Sequence, residues 1–172
     1  SYLRPGESPG GRPGQGVRGE LVPKDYAYYP GCTLHATARE YDVSFRLVSE
    51  ALGLQLHELK DWVCCGASSA HTTDRLLGVA LPAHSLQAAA ETGLPVLVPC
   101  AACFSRLKFA VHELEDEHTR QQVSRALGRE IGELTPVLHP LQVMAEAEIP
   151  VKKPLAGLKV ACYYGCLLVR PK

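Results

Sequence analysis

Apolar residues along the chain alternate between short continuous runs and longer segments with helical spacing. The aromatic-rich run at residues 26–29 stops at Pro30 and Gly31, which is typical of a short strand followed by a turn. In the next segment apolar residues recur at steps of four, three and four, and these are Tyr41, Phe45, Val48 and Leu52. Charged residues lie between them, so the spacing predicts an amphipathic helix that ends at Gly53.

The middle of the chain continues the alternation of strand and helix. Residues 54–59 predict a second strand, which leads to a turn of small residues. Residues 74–92 predict a second helix, for which Thr72 or Thr73 is the candidate cap. Because proline lacks a backbone N–H group, Pro82 is expected to kink or split that helix.

The last elements repeat this order. Residues 96–98 form a strand of the buried type, followed by a third helix and by a fourth over about 119–127. A further strand and short helix occupy residues 137–147. The order strand, helix, strand, helix predicts an α/β fold with small parallel-sheet layers and flanking helices.

A short sequence from the first strand returns near the end of the chain. Tyr-Tyr-Pro-Gly-Cys-Thr-Leu at residues 28–34 returns as Tyr-Tyr-Gly-Cys-Leu-Leu at residues 163–168. The repeated sequence overlaps a predicted strand over 158–164. It predicts that a second copy of the cysteine-containing unit begins here, with Cys166 in the place of Cys32. Cys162 has no counterpart in the first copy and is expected to be a strand thiol.

These patterns divide the chain into three regions. Residues 1–24 are rich in Gly, Pro and Arg and have little apolar surface to bury, so they are expected to be flexible. Residues 25–150 are expected to form a first cysteine-rich domain. Residues 151–172 are expected to form a linker and the truncated start of a second such domain.

Composition and charge narrow the possible functions. The 172 residues include 18 basic and 18 acidic side chains, so no net field favours nucleic acid or an anionic membrane. The apolar runs are of strand length, which predicts no membrane insertion, and the N-terminus shows no secretory pattern. Seven cysteines, an odd number, fit metal-bound thiols in a reducing cytoplasm better than disulfides.

Five cysteines form the strongest chemical pattern. Cys32 is followed after 31 residues by the doublet Cys64 and Cys65, and after 34 more by Cys100 and Cys103. Each group comes just after a predicted strand, so the three groups should meet at the carboxyl edge of a parallel sheet. Adjacent cysteines fit a single tetrahedral zinc ion poorly, whereas several soft thiolates suit an iron–sulfur cluster.

Other interpretations of these residues stay open. Cys100 and Cys103 alone would also suit a thioredoxin-like dithiol at a helix start, and a zinc-stabilised binding domain is a further possibility. His35 and His71 lie near the cysteines and are weak candidates for proton transfer, although packing or solvent exposure would explain them as well. Gly31 beside Cys32 predicts either backbone N–H groups close to sulfur or a turn with positive φ, and Gly66 beside Cys65 does the same.

Four segments together resemble the B subunit of heterodisulfide reductase, a family with cysteine-rich CCG domains. They are Tyr-Tyr-Pro-Gly-Cys-Thr-Leu-His at 28–35, Arg-Glu-Tyr-Asp at 39–42, Asp-Trp-Val-Cys-Cys-Gly-Ala-Ser-Ser-Ala-His at 61–71 and Pro-Cys-Ala-Ala-Cys at 99–103. The resemblance covers about residues 25–172 and implies two CCG domains in tandem.

The resemblance implies a cofactor and its ligands. In this family each domain holds one noncubane [4Fe-4S] cluster, here through Cys32, Cys64, Cys65, Cys100 and Cys103. Cys166 would be the first ligand of a second, incomplete cluster site.

The implied activity is reduction of a small-molecule disulfide (CoM-S-S-CoB type) to two thiols. Partner iron–sulfur and flavin subunits would supply the electrons. The alternative is a non-catalytic electron-transfer CCG subunit of a succinate or fumarate, glycolate or lactate oxidoreductase complex.

Overall fold

A computed structural model describes residues 24–67, 69–149, 153 and 156–169. The segment expected to be flexible lies outside these residues, except for Lys24. The strands are β1 (Asp25–Tyr28), β2 (Gln55–Glu58), β3 (Val96–Leu97) and β4 (Val137–Leu138). The helices are α1 (Gly31–His35), α2 (Arg39–Ala51), α3 (Ala70–Thr73), α4 (Arg75–Ala90), α5 (Ala101–Glu113), α6 (Glu117–Leu127), α7 (Pro140–Glu146) and α8 (Cys166–Val169).

The four strands form one parallel sheet in the order β2-β1-β3-β4. Tyr28 is aligned with Glu58 on one side and with Leu97 on the other, and Leu97 is aligned with Leu138 of β4. Helices connect the strands because parallel neighbours need a crossover. The predicted α/β fold, with a parallel sheet and flanking helices, is confirmed.

The sheet separates two apolar clusters, since successive strand side chains point to opposite faces. Ala27 and Tyr29 belong to the larger cluster, which includes Leu86 of α4 and Leu107 of α5. The smaller cluster on the other face contains Tyr26, Tyr28, Leu97, Phe45 of α2 and Val143 of α7. Helices therefore cover both faces, and the strand ends remain available for a site.

Helix α4 differs from its prediction in two ways. Its cap is Asp74, whose Oδ1 accepts a hydrogen bond from the Leu77 N–H group at 2.7 Å, while Thr72 and Thr73 lie within the short helix α3. Of the expected kink or split at Pro82, the split is wrong, because α4 is one helix with Pro82 inside it, and the kink stays a prediction. Proline removes only its own N–H bond, to the carbonyl of Gly78. That carbonyl accepts a hydrogen bond from Arg106 Nη2 instead, at 2.5 Å.

The strand predicted over residues 158–164 is also wrong. These residues have no regular structure and are exposed, with Tyr163 93% exposed, and none of the described strands pairs with them. Helix α8 then packs against α5, and Leu168 contacts the larger apolar cluster. None of the helices within the described residues has the length and apolar character needed to cross a lipid bilayer.

Candidate metal centre

The structure brings three cysteine segments to one edge of the sheet. Cys32 lies in α1, directly after β1, and the doublet Cys64 and Cys65 lies in the irregular segment after β2. Cys100 and Cys103 occupy the start of α5, directly after β3. Because β1, β2 and β3 are parallel neighbours, their carboxyl ends deliver all five thiols to the same side.

The thiols differ in depth. Cys65 and Cys103 are buried, 2% and 3% exposed, with their Sγ atoms 3.3 Å apart. Cys100 is half-buried, and Cys32 and Cys64 are exposed. The group therefore extends from the protein interior to the surface. Among the residues that the structure describes, no three His, Cys, Asp or Glu side chains are arranged around one metal ion.

Hydrogen bonds between the thiols set their acidity. A hydrogen bond with Cys103, with help from the Ala67 N–H group, lowers the pKa of Cys65 to about 7 despite burial. A hydrogen bond with Cys103 likewise lowers the pKa of Cys100 to about 6, with support from the backbone at the start of α5. The pKa of Cys103 is raised, because it shares hydrogen bonds with both neighbours and is buried. Two of the thiols thus ionise easily, and the thiolate is the form that binds metal.

The pKa of the exposed thiol Cys64 shifts in the opposite direction. The Gly66 backbone N–H group lowers the pKa of Cys64, but burial and the neighbouring thiols of Cys65 and Cys32 outweigh it, so the pKa is raised. The doublet and Cys32 are therefore close enough to repel one another as thiolates. A positively charged metal would remove that repulsion.

Tyr29 lies beside the cysteine group, with its ring next to the contact between Gly31 and Cys103. Its side chain is fully buried, and its hydroxyl donates a hydrogen bond to the Val63 carbonyl at 2.6 Å. Burial raises its pKa, and thiolates at Cys103, Cys65, Cys64 and Cys32 raise it further. The ring of Trp62 packs edge-on against it, with centroids 5.4 Å apart. Tyr29 belongs to the larger apolar cluster, Trp62 packs against that cluster, and both residues lie beside the cysteine group.

Three residues near the cysteines have left-handed backbones. Gly31 and Gly66 both have φ near 74°, and Asp61, before the doublet, has φ of 58°. A Cβ atom at Gly31 would lie 2.8 Å from Cys103 Sγ, so glycine permits α1 to contact that thiol. The Gly66 and Ala67 N–H groups bond to the doublet, so close N–H approach and positive φ both occur at Gly66.

The two histidines are held by groups other than cysteine. His35 Nε2 is 3.1 Å from Glu58 Oε1, and its ring packs edge-on against Trp62. His71 Nδ1 is 3.2 Å from the Gly66 carbonyl. In the described part of the chain neither imidazole forms a hydrogen bond with a cysteine sulfur. A role for them in proton transfer stays a prediction.

Arg106 is a residue near the site that the sequence did not single out. It lies one helical turn after Cys103 in α5, and its charge lowers the pKa of Cys65 as a lesser effect after the Cys103 hydrogen bond. The spacing of three residues on a predicted helix could have indicated it. An arginine on a helix is usually at the surface, however, so the spacing alone did not single it out.

The cysteines of the expected second copy lie in the last described segment of the chain. Cys166 opens the short helix α8, much as Cys32 lies at the start of α1, and both Cys166 and Cys162 are exposed. Cys162 lies outside any strand, which corrects the expected strand thiol. The role of Cys166 as a ligand of a second cluster stays a prediction.

Comparison with known families agrees with this geometry. Residues 26–108 match the cysteine-rich domain family called CCG, and the match includes all five clustered cysteines. The chain contains a CCG cysteine-rich domain. The matched residues include the sequence Cys-Cys-Gly at residues 64–66.

Two curated relatives extend the likeness beyond the CCG domain. The chain is 37% identical over 156 residues to the 8-methylmenaquinol:fumarate reductase membrane anchor subunit of Wolinella succinogenes, covering 87% of this chain and 55% of that protein. It is 23% identical over 157 residues to an Archaeoglobus profundus protein named as similar to the B subunit of heterodisulfide reductase, covering 85% of this chain and 52% of that protein. The resemblance to the heterodisulfide reductase family is confirmed. The chain spans about half the length of these relatives.

Proposed function

We propose that this chain is an electron-transfer subunit of an oxidoreductase complex and holds an iron–sulfur cluster in its CCG domain. The ligands would be Cys32, Cys64, Cys65, Cys100 and Cys103. The observation that carries the proposal is their convergence at the carboxyl edge of β1, β2 and β3. One-electron transfer is the chemistry that such a cluster supplies when bound.

The residues present fit a cluster. Thiolates are the ligands that iron–sulfur clusters use, and two of these thiols ionise near neutral pH. The buried pair Cys65 and Cys103 excludes water from one side, while backbone N–H groups at Gly66 and Ala67 point to the doublet. Such N–H groups stabilise thiolate charge and adjust the reduction potential. A noncubane [4Fe-4S] form is the specific proposal.

Electron transfer is favoured over substrate chemistry by the relatives. The 37% identical protein is named as a subunit of a fumarate reductase, so partner subunits with further redox centres are part of the proposal. Reduction of a disulfide is the second candidate. The exposed thiols Cys32 and Cys64 favour it, because they leave one side of the site open to a small molecule. The 23% identical relative supports it more weakly.

Metal reconstitution tests the proposal. Anaerobic reconstitution of the 172-residue chain with iron and sulfide should yield about four irons per chain and a paramagnetic signal unlike that of a cubane cluster. The variants Cys64→Ser and Cys65→Ser should each lower the iron content and change the signal. The variant Cys162→Ser, outside the group, should change neither. Binding of a single zinc ion in place of iron would contradict the proposal.

The same preparation separates the two candidates. A reduced viologen dye should reduce the cluster, and addition of a small disulfide should then leave the dye unchanged if the chain only transfers electrons. Sustained consumption of the dye in the presence of the disulfide, lost in Cys64→Ser, would favour the second candidate.

A further inference from the structure

Arg106 is a half-buried cation with no carboxylate partner among the described residues. The arginines that form ion pairs in the described part of the chain are Arg46, Arg75 and Arg129, and Arg106 is not among them. Its Nε atom is buried and has no hydrogen-bond partner within the described residues. Burying an unpaired charge is unfavourable, so this arrangement calls for a negative group nearby.

The guanidinium is fixed by contacts from two helices. Nη2 donates a hydrogen bond to the Gly78 carbonyl of α4 at 2.5 Å, and the guanidinium carbon lies 4.6 Å from the ring centroid of Phe109. The Gly78 carbonyl is free to accept because Pro82, four residues later, has no N–H group to offer it. The proline inside α4 thus provides the acceptor for Arg106.

A glycine provides the space for this contact. A Cβ atom at Gly78 would lie 3.2 Å from Arg106 Nη2 and 2.9 Å from His71 Cα. His71 in turn contacts the Gly66 carbonyl, beside the doublet. Arg106 is therefore held between α4 and the loop that carries Cys65, with Cys103 one turn away on its own helix.

One thiol and one carboxylate supply the negative charge that acts on Arg106. Burial lowers the pKa of Arg106, and negative charge at Cys65 and at Glu113 opposes that shift. Glu113, however, binds Arg75 Nη2 at 2.6 Å. The remaining negative charge is that of Cys65, a proposed ligand, and the Cys65 Sγ is 3.3 Å from the Cys103 Sγ.

We propose that Arg106 is a positioning residue that offsets the negative charge of a cluster bound through Cys65 and Cys103 and so raises its reduction potential. The inference rests on the proposed function. Reduction adds negative charge to a thiolate-ligated cluster, and a fixed positive charge nearby favours the reduced form. The contact with Gly78 keeps that charge in place in both redox states.

Three variants of the reconstituted 172-residue chain test this inference. Arg106→Gln removes the charge but keeps N–H donors for the Gly78 carbonyl, and Arg106→Lys keeps the charge. Arg125→Gln removes the same charge from an exposed position on α6 and is the matched control. The measurements are the midpoint potential from a redox titration followed by paramagnetic resonance, the iron content, and thermal unfolding by circular dichroism.

We expect R106Q to disfavour one-electron reduction about tenfold, a shift of about 59 mV to more negative potential. R106K should shift the potential by less than half as much, and R125Q should leave it unchanged. A wild-type potential in R106Q, or an equal shift in R106K and R106Q, would overturn the inference.

Loss of iron or of folding is also decisive. If R106Q is folded but binds no iron, the iron content of R106K decides. Iron retained in R106K supports the charge effect, and iron lost from R106K overturns the inference. If R106Q does not fold, a folded R106K whose potential lies within about 30 mV of wild type supports the inference, and one shifted by about 59 mV or more overturns it. A wild-type chain that takes up no iron would refute the proposed function and this inference together. A wild-type cluster unaffected by R106Q would refute the inference alone.

Discussion

Among single residues, Gly31 combines two requirements that can be separated by experiment. Its φ of 74° favours glycine, and a Cβ atom there would meet Cys103 Sγ at 2.8 Å. Gly53, after α2, has φ of 73° but nothing within 4 Å of the same position. The two glycines share a left-handed φ, and only a Cβ at Gly31 would meet other atoms, those of Cys103 and Tyr29, so Gly53 is a control for Gly31.

We therefore expect Gly31→Ala to lower the iron content of the reconstituted chain, because the methyl group displaces Cys103. Gly53→Ala should lower the free energy of unfolding by about 1 kcal/mol through backbone strain and leave iron binding intact. Iron analysis and chemical denaturation of both variants make the comparison. Equal iron content in both would show that the Gly31 contact does not matter for the site.

The sequence identified residues with distinctive chemistry and missed those defined by packing. The cysteines and Gly66 were indicated because the motif depends on residue type and spacing alone. The placement of Tyr29 beside the cysteine group and that of Arg106 depend on how α4 and α5 meet, which no local pattern contains.

At the scale of elements, the short helix α7 depends on the state of one histidine. His139 is buried at its cap, where Nε2 is 3.1 Å from the Pro99 carbonyl and Nδ1 accepts a hydrogen bond from the Leu141 N–H group at 3.2 Å. Burial lowers the pKa of His139, and the Pro99 hydrogen bond only partly opposes the shift. A second proton would have to bind Nδ1, where it would face the Leu141 N–H group.

This arrangement predicts a pH-dependent stability. The unfolded histidine has a pKa of about 6.5, so below that pH the unfolded chain binds more protons than the folded one and folding becomes less favourable. The free energy of unfolding should fall from about pH 7.5 to about pH 5.5, and it should fall less in His139→Asn, which keeps a capping oxygen but does not titrate. Exposed His112→Asn is the control. An equal fall in wild type and His139→Asn would exclude this histidine as the cause.

The elements themselves were predicted well where the pattern is long and periodic. Helices α2, α4, α5 and α6 and the four strands were expected from apolar spacing. Helix α4 stayed whole because the carbonyl that Pro82 leaves free is satisfied by Arg106, from a distant part of the sequence. The segment 158–164 has the composition of a strand, but none of the described strands pairs with it to satisfy its backbone groups.

For the whole molecule, a cluster at this site would connect segments that are far apart in the sequence. The thiols come from three strand ends separated by 31 and 34 residues, so binding closes two long loops. Closure of long loops restricts the unfolded chain and stabilises the folded one. The parallel sheet already holds these ends together, which explains how the thiols can converge without metal.

We accordingly expect the reconstituted chain to unfold at a higher temperature than the same chain after iron removal. Thermal unfolding under anaerobic conditions, before and after treatment with an iron chelator, measures the difference. The difference should be small in Cys65→Ser, which lacks a buried ligand, and unchanged in Cys162→Ser. Identical unfolding temperatures with and without iron would mean that the site does not cross-link the fold.

The packing of Trp62 against Tyr29 also has an optical consequence. Trp62 is the chain's one tryptophan, and it lies two residues before the cysteine doublet. Its ring centroid is 5.4 Å from that of Tyr29, which lies beside the cysteine group, so a coloured cofactor bound there would quench its emission by energy transfer. Fluorescence of the unmodified protein therefore reports the filling of this site in real time, with no added label.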